Sequence, residues 1–83
     1  MYIFHTDSGH GWLAVKRAEL VRLGIQHSIS LYSYQNCETV YLEEDCDAGH
    51  FAEAKKAKGE QFKVSTDHMD GNHYIRNYMR YAA

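Results

Sequence analysis

Two histidines and an aspartate within six residues, His5, Asp7 and His10, are the first group in this chain whose types could do chemistry. Two imidazoles and a carboxylate are a recurrent donor set for divalent first-row metals, with open positions for water or substrate. On an extended strand His5 and Asp7 share a face, and Gly9 and Gly11 give the chain the freedom to fold His10 back toward them. The set is therefore a candidate site for a divalent metal. Against it, enzymes using this donor set bring the second histidine from a distant strand of a larger barrel, which 83 residues do not build. Solvated loop histidines bonded to backbone are the weightier reading, and no other cofactor is indicated.

Cys37, Cys46 and His50 form a second group, but no CxxC or HxxxH spacing pre-sets a tetrahedral zinc site. Cys46 at a helix start, four residues before His50, has the placement of an activated thiol. Glu44, Asp45 and Asp47 oppose that, since neighbouring negative charge disfavours a thiolate. A half-buried structural cysteine is the expectation. Ser8-Gly9-His10-Gly11 lacks both GxxxxGK[ST] and GxGxxG and reads as a turn.

The third group is a surface rather than a centre. Tyr32, Tyr34 and Tyr41 fall on one face of an expected hairpin, the acidic run Glu43, Glu44, Asp45 and Asp47 follows it, and Arg76 and Arg80 interleave with Tyr74 and Tyr78. Tyrosine offers contact area at low entropic cost with a hydroxyl that stays hydrated, which suits a protein interface. The acids could mimic phosphates before a basic partner, and the arginines suit phosphate, carboxylate or aromatic groups. The same tyrosines could stack the bases of a single-stranded nucleic acid. A third outcome is that the carboxy-terminal stretch folds over this face and buries it, with Arg76 and Arg80 pairing internally. Trp12 beside two glycines reads as a core anchor.

The elements that must position these groups follow from periodicity. Tyr2–Thr6 reads as a strand, residues 7–11 as a loop, and Trp12–Val15 as a strand extension or an approach to a helix running from Lys16 to about Gly24, with Ala18, Val21 and Ile25 as its apolar stripe and Leu20 and Leu23 widening it. Gly24-Ile25 is a helix stop. Ile29–Tyr34 and Thr39–Leu42 alternate around a turn at residues 35–38 and predict a hairpin. A second helix is expected over Ala48–Lys58, capped by Asp47, with Phe51 and Ala54 inward and Lys55, Lys56 and Lys58 in water. Gln61–Ser65 gives a fourth strand, and Tyr74–Tyr81 fits a helix grouping Tyr74, Tyr78 and Tyr81 or, better, a strand or extended arm. The order β-α-β-β-α-β predicts an α+β, ferredoxin-like fold: a four-stranded antiparallel sheet with both helices on one face, plus that carboxy-terminal strand or arm.

Eighty-three residues, 45% hydrophobic and 24% charged, make one domain (1–83) with a modest core and argue against disorder. The net charge of −2 gives no general attraction to phosphate backbones. No apolar run spans a bilayer, and the first ten residues lack the pattern of a signal peptide, so a cytoplasmic protein with two free thiols is expected. An uncovered sheet edge would allow a homodimer as well as a monomer.

Taken together, HTDSGHGWLAV, ISLYSYQNCETVYLEEDCD and IRNYMRY resemble small accessory proteins encoded by bacteriophages and other mobile elements, YLEEDCD being the most distinctive piece. The resemblance covers most of the chain. It implies a non-enzymatic protein acting in the bacterial cytoplasm during host takeover by binding a host protein, as anti-defence inhibitors do; it assigns no residue a role.

Overall fold

A computed structural model describes all 83 residues. The chain is α+β, with nine elements in the order β1 (Tyr2–Thr6), β2 (Gly11–Lys16), α1 (Arg17–Leu23), β3 (Tyr34–Asn36), β4 (Thr39–Glu43), α2 (Asp47–Ala57), β5 (Val64–His68), a 3-10 turn (Tyr74–Asn77) and β6 (Met79–Arg80). One six-stranded sheet holds them, ordered β5-β1-β2-β4-β3-β6. All neighbours are antiparallel except β1 and β5. No helix is long and apolar enough to cross a membrane.

The expected four-stranded antiparallel sheet is thus a mixed sheet of six. The difference begins at residues 7–10, which turn β1 back on β2 instead of leading to a helix; Asp7 N–H donates to the His10 carbonyl across the turn. Trp12–Val15 is a full strand because Leu13 and Val15 reach one face and Trp12 the other, so both faces are buried. Gly11 is required by its neighbours, since a methyl there would overlap the Phe4 ring at 2.5 Å. The result is two hairpin-plus-helix halves, β1-β2-α1 and β3-β4-α2, joined through the central β2–β4 pair.

Local signals explain the helices. At the end of α1, Ile25 N–H donates to the Leu20 carbonyl and Gly24 N–H to that of Val21, with Gly24 at φ 73°, the geometry of a Schellman stop. The buried stripe of α1 is Leu20 and Leu23, while Val21 stands 54% exposed, one position off the expected line. Helix α2 starts at Asp47 with Cys46 as its amino-terminal cap, and Phe51 is fully buried. Lys55 is buried as well, contrary to the expected solvent face. Its Nζ donates to Glu60 at 3.0 Å and to the Tyr2 hydroxyl at 3.3 Å, and Arg22 completes the network on Glu60, whose pKa these two cations pull down to about 2.

Leu13, Val15, Leu20, Ile25, Val40, Leu42 and Phe51 form the core between sheet and helices. The opposite face is covered too. Residues 73–78 cross it, and fully buried Ile75 packs with Trp12 and Tyr34. The stretch Tyr74–Tyr81 therefore forms a 3-10 turn followed by a two-residue strand, where one strand or arm was expected. β5 begins three residues later than expected, at Val64, and all five of its residues are exposed, because it is a sheet edge that pairs only with β1.

Candidate functional site

The expected hairpin face is the first thing the structure rearranges. Residues 30–33 form a turn, so the strand shrinks to Tyr34–Asn36. Asp47 is the cause: its carboxylate accepts from Ser30 N–H and Oγ, and from Ser33 Oγ at 2.5 Å, while Ser33 Oγ accepts from Glu43 N–H. A serine pair captured by a buried carboxylate outcompetes the ladder that Ile29–Ser33 would otherwise make. Asp47 is therefore a buried anchor (3% exposed) rather than a helix cap or a contact residue.

The three tyrosines consequently separate. Tyr34 is buried against Trp12, Tyr41 lies half-buried under Tyr78 with ring centroids 5.3 Å apart, and only Tyr32 is open, at 66% exposure. The three rings therefore do not form one open face on which successive bases could stack. The acidic run divides as well. Glu43 turns inward, its Oε1 accepting from the N–H groups of Asp45 and Cys46, while Glu44 and Asp45 project into water. The strand ends at Glu43 and residues 44–46 turn, which accounts for this and interrupts the continuous acidic strip that phosphate mimicry would use.

What the fold does assemble is an open cleft of about 380 Å³ between the 30–33 turn, β6 and the start of α2. Tyr32, Tyr34, Glu43, Asp45, Arg76 and Arg80 line it, joined by Trp12, His10 and Cys46. Six of the nine residues expected to bind a partner thus meet here; Tyr41, Glu44 and Asp47 do not. The Arg80 guanidinium lies 4.5 Å from the Tyr34 ring centre and Arg76 lies 5.2 Å from that of Trp12, so both cations are stacked on the aromatic floor.

The two arginines differ in freedom. Arg76 is clamped by Asp7 through Nε at 2.6 Å and Nη2 at 2.9 Å. Arg80 donates only one bond, to the Leu31 carbonyl, and has no carboxylate partner. Asp7 is saturated. Besides Arg76 it accepts from the backbone N–H groups of Gly9, His10 and His73, and Arg76 foremost holds its carboxyl well below the ordinary range despite full burial. Gly9 permits the approach, since a Cβ there would sit 3.0 Å from Arg76 Nη2.

That clamp dissolves the expected His5, Asp7, His10 set: the lone pairs of Asp7 are all in use, and His10 lies out beside Glu44 at 4.0 Å. His5 instead meets two residues that the sequence left unassigned. Its Nδ1 is 3.2 Å from Asp67 Oδ2 on β5, and His73 Nε2 is 3.9 Å from the same oxygen. The parallel β1–β5 pairing, with His5 opposite Asp67, is what places them. An edge strand of polar residues in sequence VSTDH gives little pattern to read, which hid Asp67.

Cys37 and Cys46 are free, as expected, but both are exposed rather than structural. Desolvation by the surrounding protein, followed by the charges of Glu43, Asp47 and Asp45, raises the Cys46 thiol pKa and keeps it protonated. Comparison of the chain with protein-family models, with curated proteins and with solved structures gives no match.

Proposed function

We propose that this chain is a non-enzymatic binding protein of the phage accessory type, and that it engages a bacterial host protein through the Tyr32–Arg80 cleft. The observation that carries the reading is the convergence in one cleft of an exposed tyrosine, a guanidinium without an acidic partner, and the exposed carboxylate of Asp45 over a fixed aromatic floor. Aromatic and arginine anchors in a preformed depression are what concentrates binding energy at protein interfaces. The charges of both signs favour a partner whose own surface alternates, since complementary pairs set register and suppress wrong partners. The protonated Cys46 thiol in the cleft wall is a poor nucleophile, which favours binding over catalysis.

The test is capture of the partner from bacterial lysate by tagged protein, with and without nuclease, comparing the native chain with the double variant Tyr32→Ala/Arg80→Ala. Both residues are exposed, so the variant should keep its circular dichroism spectrum. A nuclease-resistant, stoichiometric partner whose affinity falls at least ~30-fold in the variant, the scale of about 2 kcal/mol at interface anchors, supports the reading. Equal capture by both forms, or recovery of nucleic acid alone, overturns it.

A further inference from the structure

We propose that His5, Asp67 and His73 form a binding site for a divalent first-row metal ion that fastens β5 and the segment after it to β1. The three donors come from three separate parts of the chain, and their ligand atoms all lie within 4.8 Å of one another. A tetrahedral ion with bonds of about 2.0–2.2 Å needs its donor atoms roughly 3.3 Å apart. One pair already meets that, at 3.2 Å, and a second stands at 3.9 Å. The shared partner of both is Asp67, whose side chain is 59% exposed on an edge strand and is free to shorten the longer of the two by rotation.

The second observation is His73 itself. Its side chain is wholly buried, and its Nε2 has no hydrogen-bond partner while facing Asp67 and His5. A buried polar nitrogen without a partner is destabilising, and native folds rarely leave one unless a water or an ion serves it. The ring's other nitrogen defines the proton movement that loading requires. Nδ1 accepts from Ile75 N–H at 3.2 Å, which places the proton of the neutral, metal-free ring on Nε2. Coordination through Nε2 moves that proton to Nδ1 and gives up this long amide contact. His5 makes the converse change: its Nδ1 exchanges the bond to Asp67 for the ion, and its proton moves to Nε2. No net proton leaves the two rings.

Trp12 and Tyr41 pack against these imidazoles and wall the site from one side, leaving the Asp67 side for water ligands. The other metal-compatible cluster, His10, Glu44 and Asp45, is exposed throughout and holds no buried, unpartnered donor, so it serves as the control.

Titration of the tag-free, chelator-treated full chain with Zn²⁺ by calorimetry, and with Co²⁺ by visible absorption, tests the assignment. One equivalent should bind, with Asp67→Asn and His5→Gln each lowering affinity at least about tenfold and His10→Ala/Glu44→Gln leaving it within twofold. Long-range ¹⁵N spectra should show the His73 proton move from Nε2 to Nδ1 on loading. Absence of stoichiometric uptake overturns the proposal. So does uptake that survives in folded Asp67→Asn or is lost with His10→Ala/Glu44→Gln.

Discussion

At the scale of single residues, two buried groups tie the stability of this protein to pH, and both act in the same direction. Asp7 ionises far more readily in the folded chain than at its ordinary value of 3.8, so its contribution is complete above that value and is lost as pH falls below it. His73 is held neutral by burial first and by the neighbouring His5, so its folded pKa lies below the ordinary 6.5. The unfolded chain then binds the proton that the folded chain refuses, and stability declines as pH falls through 6.5. Urea midpoints measured in chelator should therefore drop in two stages, below about 6.5 and again below about 4, with His73→Gln abolishing the upper stage only. Neither group was legible for this role. Asp7 read as a loop residue and a candidate metal ligand because the partner that fixes it, Arg76, lies 69 positions away, and hydrogen bonds of that span leave no local pattern. Asp47 was misread for the same reason: its position suggested a cap, whereas its carboxylate reaches back to Ser30 and Ser33. Gly24-Ile25 was readable because the whole Schellman motif fits within six residues.

At the scale of elements, the β3–β4 hairpin turns in two residues, Cys37 and Glu38, between the paired Asn36 and Thr39. Cys37 is the one non-glycine residue with positive φ, at 55°. That conformation costs an L-residue about 1–2 kcal/mol and costs glycine almost nothing, so Cys37→Gly should raise stability by about 1 kcal/mol after glycine's greater chain entropy is subtracted. An unchanged or lower denaturant midpoint would show that the turn relaxes on its own. Elements with a clear apolar pattern or stop signal were legible: β4, α2 and the end of α1 lie close to their expected places, as does β1, whose run of large apolar residues marked it. β2 was not, because a strand buried on both faces shows no alternation, and WLAV fits a helix approach as well as a strand. β5 had the opposite defect, since an exposed edge strand has no buried face to mark its register.

Across the whole molecule, the sheet is enclosed on both faces, by helices on one and by residues 73–78 on the other, and the second covering is held by Asp7, which accepts from His73 N–H and Arg76, while Tyr81 beyond it joins the helix-side core. A chain cut after Asn72 should keep most of its far-ultraviolet dichroism, lose its near-ultraviolet signal and bind hydrophobic dyes, because Trp12, Tyr34 and Tyr41 lose their cover. Native-like near-ultraviolet dichroism in that fragment would show that the covering segment is dispensable. The same closure has a consequence during translation. Asp7 is synthesised 69 residues before Arg76, an interval of about 3–14 s at 5–20 residues per second. Through that interval the nascent chain carries an uncovered aromatic face and a buried-to-be carboxylate without its cation. The face that matures into the floor of the cleft is thus, on every newly made copy, first an apolar surface open to water.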